Sequence, residues 1–395
     1  MTIKLIVTGL SAASLALASV QAFAAGRYGP GVSDNEIKVG NTMSYSGAAS
    51  GLSSLGKAEA AYFAMVNEQG GVDGRKINFI TRDDSYSPPK TVEVVRRLVE
   101  DEQVLVMFSM LGTAPNTAIQ GYLNDNKVPH LFVASGADQW NDSKNHPWTM
   151  GWRPSYRIEA RIYARYILSR LPDARIAVLY QNDDFGKELL AGLKEGLGDK
   201  AAMVVSEASY ESTDPTVDSQ VVTLQGSGAD ILCMFVYAKQ GAQAIRKVYD
   251  IGWRPDKYIH LGAASVGATF VPAGVEKSVG VKTAGFIKDA TDPKWADDAA
   301  VMAWRAWMGK HMPDADLKDS INVAGYSYAQ TLEQVLRQCG SDLSRENIMR
   351  QATNLHDFRL PLLLPGSLIN TSPTQYRVIT YMKLQSFDGK GWEFV

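Results

Sequence analysis

Cysteine and histidine are both scarce in this chain, with two and five residues among 395. Cys233 lies in an apolar run, and Cys339 lies at the end of a predicted helix far along the chain. Free cysteine packs as a small hydrophobic side chain, so the sequence predicts two unpaired thiols rather than a disulfide. The histidines are scattered without the helical spacing of a metal-binding pair, and we expect neither a metal site nor a cofactor.

Charge of one sign does not dominate, since 40 Lys and Arg stand against 42 Asp and Glu. This balance offers no basic surface for nucleic acid or for an anionic lipid face. An apolar content of 45% and a charged content of 21% are typical of a soluble globular protein. The length is sufficient for two domains, each with its own core.

A long apolar run occurs only at the N-terminus, where Lys4 precedes apolar residues 5–20 and the small-x-small signal Ala22-Phe23-Ala24. This order is typical of a cleaved signal peptide, which we place at residues 1–24. A membrane anchor is the alternative, but the run is short and interrupted by glycine and serine. No cysteine follows the run, so we expect no lipoprotein anchor. The sequence therefore predicts a mature protein that is free in an extracytoplasmic compartment.

Predicted strands and helices alternate along the rest of the chain. The predicted strands are residues 37–43, 77–81, 104–108, 130–133, 175–180, 203–208, 231–236 and 258–261. The predicted helices are residues 57–68, 90–100, 116–126, 158–171, 186–197, 215–225, 242–250, 299–312, 324–339 and 345–352. This rhythm predicts an α/β fold with doubly wound parallel sheets. It breaks at residues 145–154 and then restarts, which indicates two similar lobes.

The helices predicted beyond residue 299 need a sheet to cover. We therefore expect the chain to cross back to lobe 1 near residues 286–290 and to return near residues 357–365. Two terminal strands, joined at Asp388-Gly389-Lys390, would then complete lobe 2. The predicted boundaries are residues 25–154 and 288–357 for lobe 1, and residues 155–287 and 358–395 for lobe 2.

Motifs for catalysis are incomplete. Residues 51–57 match the spacing of a phosphate-binding loop, but Ala58 stands where the magnesium-binding hydroxyl is needed. No G-x-S-x-G nucleophile motif is present. The acidic pairs Asp83-Asp84 and Asp183-Asp184 are better explained as residues that order turns and cap helices. We expect a binding protein rather than an enzyme.

Loops of small residues follow several predicted strands, and open α/β sheets bind ligands at the carboxyl ends of their strands. Such loops expose backbone N–H groups before a helix, an arrangement that favours an anion. Each loop alone is equally compatible with an ordinary turn, so the prediction is that they face one cleft together. The candidate ligand-binding residues are Tyr45, Leu55, Gly112, Thr113, Ala134, Ser135, Gly136, Phe185, Tyr237, Gln240 and Ser265.

Several stretches together carry a family resemblance. They are Ile37-Lys38-Val39-Gly40 with Ser46-Gly47, Asn67 to Gly74 with Asp83-Asp84 and Pro88, Val178 to Gly186, and Gly228-Ala229-Asp230. The chain resembles the periplasmic solute-binding proteins of branched-chain-amino-acid-type ABC uptake systems. The resemblance implies a type I periplasmic binding fold, with two lobes joined by three hinge crossovers. It also implies a periplasmic monomer that closes on a small solute and delivers it to permease and ATPase subunits in the inner membrane.

The resemblance also identifies binding positions at which this sequence departs from the family. The serine and the threonine that hold a ligand carboxylate correspond to Gly112, beside Thr113, and to Gly136, beside Ser135. The acid that meets the ligand ammonium corresponds to Gln240. Backbone amides and the neighbouring hydroxyls could still hold a carboxylate, but no acid stands beside Gln240.

Two tyrosines that cover the ligand in the family correspond to Leu55 and Phe185, which makes this pocket more apolar. Glutamine cannot offset the charge of a desolvated ammonium. We therefore hypothesise a ligand without a free ammonium, such as an aromatic or short aliphatic carboxylate. Two alternatives remain open. Asp184 could reach an ammonium and restore amino-acid binding, and the same fold could serve a sensor that signals to a partner protein.

Overall fold

The computed structural model describes residues 26–47 and 49–395. The predicted signal peptide at residues 1–24 lies outside this range. Within it, every helix is too short or too polar to cross a membrane.

Strands and helices alternate along the described chain. The strands are β1 (Arg27–Tyr28), β2 (Glu36–Met43), β3 (Lys76–Asp83), β4 (Val106–Phe108), β5 (His130–Val133), β6 (Thr149–Gly151), β7 (Ile176–Gln181), β8 (Val204–Tyr210), β9 (Ile231–Phe235), β10 (Asp256–Ile259), β11 (Lys282–Gly285), β12 (Asp342–Leu343), β13 (Lys383–Phe387) and β14 (Trp392–Phe394). The helices are α1 (Ser54–Glu68), α2 (Pro88–Glu100), α3 (Thr113–Asp125), α4 (Tyr156–Arg170), α5 (Asp184–Leu197), α6 (Asp218–Gly226), α7 (Ala238–Asp250), α8 (Val271–Ala273), α9 (Ala299–His311), α10 (Ile321–Cys339) and α11 (Arg345–Ala352).

Two large sheets organise these elements, and each defines one lobe. In lobe 1 the strand order is β3-β2-β4-β5-β6, and every neighbouring pair is parallel. In lobe 2 the order is β14-β13-β11-β10-β9-β7-β8, in which β13 and β14 run antiparallel to their neighbours. The predicted fold class, two lobes with doubly wound parallel sheets, is confirmed.

Local chemistry explains where several helices begin. Pro88 stands at the first position of α2, where a missing N–H is harmless. The Ser155 hydroxyl accepts from the backbone N–H of Ile158 at 3.3 Å and caps α4. The Asp183 carboxylate accepts from the backbone N–H of Gly186 at 3.2 Å and caps α5. These caps satisfy N–H groups that have no partner within the helix.

The helices beyond β11 return to lobe 1, because α10 packs along α1 and α9 also contacts α1. The two long helices approach closely at Gly325, where a β-carbon would lie 2.5 Å from the carbonyl oxygen of Leu55. Between α11 and β13, the chain contacts lobe 1 again. The Tyr376 hydroxyl donates to the carbonyl of Pro147 at 3.0 Å, and Arg377 pairs with Asp138 at 3.2 Å. The residue boundaries assigned to the lobes from sequence remain a prediction.

Four short strands escape sequence prediction, of which β1 and β12 have only two residues each. β6 lies inside the predicted break at residues 145–154, and β11 lies in a stretch for which no strand is predicted. Each has only three or four residues, too few to show an alternating pattern. The structure confirms the prediction for the thiols, since Cys233 and Cys339 are both free and buried. Burial raises the pKa of the Cys339 thiol to about 12, which makes it unreactive.

Candidate functional site

The carboxyl ends of the parallel strands in the two lobes face one another, and aromatic side chains meet between them. We call this group the cleft cluster. It consists of Tyr86, Arg153, Tyr156, Phe185, Tyr237, His260 and Tyr328, all of which are at most 7% exposed. Tyr86 comes from lobe 1, Arg153 from the segment that leaves it after β6, and Tyr237 and His260 follow β9 and β10 of lobe 2.

Tyr86 joins the two lobes directly. Its hydroxyl donates to the Asp183 carboxylate at 3.2 Å and lies 3.4 Å from the hydroxyl of Tyr237. The rings of Tyr86 and Tyr237 meet edge to face with centroids 5.8 Å apart. Burial raises the pKa of Tyr86, and the nearby Asp183 carboxylate raises it further, so this phenol remains a hydrogen-bond donor. The structure therefore has the two lobes in contact across the cleft.

An aromatic stack forms the wall of the cleft on lobe 2. The rings of Phe185 and Tyr237 are nearly parallel, with an interplanar angle of 9° and centroids 4.4 Å apart. Tyr156 and His260 meet the other edges of Phe185 at 5.3 and 4.9 Å. Aromatic faces of this kind suit an apolar or aromatic ligand body.

Two loops of lobe 1 form the facing wall. Gly112 has a φ of +96°, and a β-carbon there would lie 2.4 Å from the ring of Tyr86, so only glycine fits this close approach. The hydroxyls of Thr113 and Ser135 lie 2.8 Å apart and are both fully buried. A β-carbon on Gly136 would lie 2.3 Å from the carbonyl oxygen of Pro154. The predicted pairs of small and hydroxylated residues thus lie together beside the cluster.

Arg153 carries the main charge of the cleft cluster. Its side chain is 7% exposed, and its Nε atom has no hydrogen-bond partner among the described residues. The groups that influence it most are the phenols of Tyr328, Tyr156 and Tyr237 rather than a carboxylate. A guanidinium is always charged and presents a planar fork of N–H donors that matches a carboxylate. A buried charge without a partner is costly, so this site favours an anion.

His260 lies beside that guanidinium. A β-carbon on Gly262 would lie 2.6 Å from Nε2 of His260 and 2.9 Å from a terminal nitrogen of Arg153, so both groups border the same small space. Nδ1 of His260 lies 2.9 Å from the Glu159 carboxylate, which also accepts from the backbone N–H of Leu261 at 2.8 Å. Nε2 of His260 has no partner among the described residues. Glu159 therefore orients the imidazole and leaves Nε2 available to the cleft.

Four sequence-predicted residues lie in helices rather than in the loops assigned to them. Thr113, Phe185 and Gln240 belong to the first turns of α3, α5 and α7, and Leu55 belongs to α1. For α3, α5 and α7 the prediction was wrong because the caps come within four residues of the preceding strands, so each helix begins two to four residues earlier than expected. Helix α1 begins three residues earlier than expected, directly after a short helical turn at residues 50–52. Gln240 is 1% exposed, and Leu55 is fully buried in the core of lobe 1.

The remaining candidates have other contacts. The Tyr45 hydroxyl lies 2.8 Å from that of Thr81. Ala134 accepts from the backbone N–H of Gly112 at 3.3 Å and so ties two loops together. The Ser265 hydroxyl donates to the Asp319 carboxylate at 2.9 Å, a contact between the lobes outside the cleft cluster.

The acidic pairs order turns, as the sequence predicts. Asp83 accepts from the Ser46 hydroxyl and from the backbone N–H groups of Ser85 and Ser46 at 3.0 and 3.1 Å. These hydrogen bonds overcome the effect of burial and hold the pKa of Asp83 below its usual range. Asp183 caps α5 and also reaches Tyr86 across the cleft. Asp184 is exposed and lines a surface depression apart from the cleft cluster.

Sequence reasoning missed five members of the cleft cluster: Tyr86, Arg153, Tyr156, His260 and Tyr328. One signal was available, because Trp152-Arg153-Pro154 places a charge between an aromatic residue and a proline inside the break where a hinge is expected. No pattern marks Tyr328, which lies in the middle of α10.

Comparisons with known proteins agree on the fold. A family model described as "Periplasmic binding protein" matches residues 36–391. A Brucella abortus protein named "Leu/Ile/Val-binding protein homolog 7" is 25% identical over 267 residues. That match covers 63% of this chain and 63% of the Brucella protein, so it spans less than two thirds of that relative.

Solved structures are similar over most of the chain. A branched-chain amino acid ABC transporter protein from Thermus thermophilus with bound valine has a TM-score of 0.83 at 14% identity, and the match covers 92% of this chain and 96% of that one. A fatty acid ABC transporter substrate-binding protein from Thermomonospora curvata has a TM-score of 0.78 at 23% identity, with 94% of each chain covered. At these identities the similarity shows the fold, while the two titles name different ligands.

Proposed function

We propose, from the premise that this chain belongs to the periplasmic binding protein family, that it is the solute-binding subunit of an ABC importer. Its solute is a small organic carboxylate with an aromatic or short aliphatic body and no free ammonium. The cleft closes on this solute and presents it to permease and ATPase subunits in the inner membrane. In this proposal the protein acts in the periplasm as a monomer and uses no cofactor. It is a binding protein rather than an enzyme.

Arg153 is the observation that carries this proposal. A buried guanidinium without a carboxylate partner among the described residues requires an anion to offset its charge. The planar carboxylate of a solute can accept two parallel hydrogen bonds from it. The stacked rings of Phe185 and Tyr237 then offer an apolar wall to the rest of the solute.

The position of Gln240 supports a solute without an ammonium. This side chain is buried and uncharged, and it stands where the family resemblance expects an acid. Asp184 is exposed, so it is poorly placed to replace that acid.

A branched-chain amino acid is the second candidate, and Asp183 is the observation that favours it. It supplies an acid at the cleft, where it accepts a hydrogen bond from Tyr86 of the other lobe. Burial raises its pKa, which favours the neutral carboxyl and so weakens the case for an ammonium. Its oxygens already accept hydrogen bonds from Gln181, Gly186 and Tyr86 at 2.6, 3.2 and 3.2 Å, which leaves little capacity for an ammonium. The relatives named for leucine, isoleucine and valine also favour this candidate.

Calorimetry on the wild type and on Arg153→Gln tests the proposal, with benzoate, pentanoate, leucine, isoleucine and valine as ligands. We expect the two carboxylates to bind the wild type and the three amino acids to bind far more weakly. Loss of a charge-assisted hydrogen bond costs about 1.5–3 kcal/mol, so Arg153→Gln should weaken carboxylate binding by roughly 10- to 100-fold. Arg165→Gln, an exposed position on α4, is the matched control and should bind as the wild type does.

Tight binding of the amino acids together with no binding of the carboxylates would overturn the proposal in favour of the second candidate. A thermal-shift screen first identifies useful ligands, because a ligand at a hundred times its Kd stabilises the folded state by about 2.7 kcal/mol. The same assay shows whether Arg153→Gln is folded.

A further inference from the structure

Glu59 is a buried acid that makes no hydrogen bond of ordinary geometry with the described residues. It lies on α1 with no exposed surface. Leaving a buried polar group unpaired is costly, and an apolar residue at this position would avoid that cost. The proposed function assigns no role to Glu59.

The surroundings of Glu59 connect it to the cleft. The Ser109 hydroxyl, which follows β4 at its carboxyl end, is buried beside the Glu59 carboxyl, and it makes no hydrogen bond of ordinary geometry with the described residues. The phenol of Tyr328 is buried as well, and it lies near both the Arg153 guanidinium and the Glu59 carboxyl. A series of buried polar groups therefore leads from the Arg153 guanidinium into lobe 1.

Ser109 lies at the end of the lobe 1 sheet where a ligand is expected. β2 lies between β3 and β4, so the chain reverses its direction of winding between β2 and β4. Open α/β sheets bind ligands at such a switch point, outside the carboxyl ends of the strands. Ser109 follows β4 there, and Tyr45, which follows β2, also lies near the Glu59 carboxyl.

The protonation state of Glu59 determines which ligand group fits. Burial raises the pKa of Glu59 well above its ordinary value, despite the opposing effect of Ser109. In its neutral form the carboxyl offers one O–H donor and oxygen acceptors but no charge. A hydroxyl group both donates and accepts, so it satisfies this acid and Ser109 together.

We propose that Glu59 and Ser109 form a second polar subsite that takes a hydroxyl group of the solute, at the end away from the carboxylate held by Arg153. This inference rests on the proposed function and narrows the solute to a hydroxylated organic carboxylate. A solute with an ammonium at that end fits less well, because a neutral carboxyl does not offset its charge.

Calorimetry with matched ligands tests the subsite. The probes are benzoate with its 3- and 4-hydroxy derivatives, and pentanoate with 5-hydroxypentanoate and 5-aminopentanoate. We expect at least one hydroxylated probe to bind the wild type about tenfold more tightly than its parent, the value of one good hydrogen bond. Glu59→Gln keeps a donor and an acceptor and should retain most of that ratio. Glu59→Leu should reduce the ratio to about one, and Ser109→Ala should lower it.

The matched control is Glu68→Leu on the same helix, whose side chain is exposed and which should leave the ratio unchanged. Ratios are compared only among variants that unfold cooperatively, and Ser109→Ala supplies the test if Glu59→Leu does not fold. Equal binding of every parent and its hydroxylated form by the wild type overturns the subsite and leaves the proposed function intact. Tighter binding of 5-aminopentanoate than of 5-hydroxypentanoate also overturns it. If no carboxylate binds, the proposed function and the subsite both fail.

Discussion

His130 lies beneath the loop that leads into α3, and its imidazole is fully buried. Nε2 lies 2.7 Å from Oδ1 of Asn116, whose amide nitrogen donates to the carbonyls of Met110 and Gly112 at 2.9 and 2.6 Å. Because that amide nitrogen is occupied, Oδ1 must be the acceptor and Nε2 must carry a proton. Nδ1 can then accept from the Thr149 hydroxyl at 3.4 Å. A neutral imidazole thus supports the cleft loop at Gly112.

This arrangement predicts a pH-dependent stability. Burial lowers the pKa of His130 from 6.5 to about 3. Between these values the unfolded chain binds a proton that the folded protein does not, so this contribution is complete above pH 6.5 and declines as the pH falls towards 3. The slope is at most about 1.4 kcal/mol per pH unit. Urea unfolding of His130→Gln should show a smaller loss of stability over this range than the wild type.

His356→Gln is the control for this titration, since His356 is exposed and should not change the slope. An equal slope in the wild type and in His130→Gln would contradict the prediction.

The buried residues that sequence reasoning missed, Arg153 above all, resemble His130 in one respect: their charge and hydrogen bonding depend on their surroundings. Their chemical properties follow from the groups around them in space, which the one-letter order does not reveal.

At the scale of single elements, α9 depends on one cap. Asp298 accepts from the backbone N–H groups of Ala300 and Val301 at 3.1 and 3.0 Å, and its other carboxylate oxygen pairs with Lys288 at 2.7 Å. This helix follows the crossover from β11 and covers lobe 1, so its start fixes where the returning chain packs.

Removing the cap should destabilise the protein. We expect Asp298→Ala to lower the free energy of unfolding by about 1 kcal/mol, a typical value for loss of a helix cap. Asp298→Asn keeps an accepting oxygen and should cost less. Urea denaturation measures both, with the neighbouring exposed Asp297→Ala as the control. An Asp298→Ala protein as stable as Asp297→Ala would show that the cap contributes nothing.

At the scale of the whole molecule, contacts between the lobes lie on two sides of the cleft. On one side the Tyr86 hydroxyl donates to Asp183. On the other side, Ser265 of lobe 2 donates to Asp319 at 2.9 Å, and the backbone N–H of Gly267 donates to the carbonyl of Lys318 at 2.9 Å. These contacts exist only when the lobes are together, so they favour the closed state over an open one.

Tyr86→Phe should therefore weaken ligand binding without removing the aromatic contact with Tyr237. Loss of one hydrogen bond worth about 1 kcal/mol makes closure less favourable and lowers ligand affinity by about fivefold. Small-angle scattering should also show a larger radius of gyration for the ligand-free variant. Tyr249→Phe, at an exposed tyrosine of lobe 2, is the control. Equal affinities for the two variants would contradict a role for this hydroxyl in closure.

The order of elements was largely predictable, because long helices and strands such as α1 and β2 carry their own periodic pattern and turn residues. The three-residue β6 was not, since its pairing with β5 is decided by position in the sheet. Among candidate site residues, the two loops at Gly112 and at Gly136 were predicted from strand ends and small residues, and the structure places both beside the cleft cluster. The sequence could not show which neighbouring charge faces the cleft, as Asp183 and Asp184 illustrate.

The sequence by itself determined the α/β class, the succession of strands and helices, the unpaired thiols and the turn-forming role of Asp83. Each depends on residues that are close in the chain or on composition. The tertiary structure alone decided the polarity of the cleft, because Arg153, Tyr328 and Glu59 come from three distant segments. Whether such groups are paired, charged or neutral depends on burial and on distances of a few ångströms, and folding sets both.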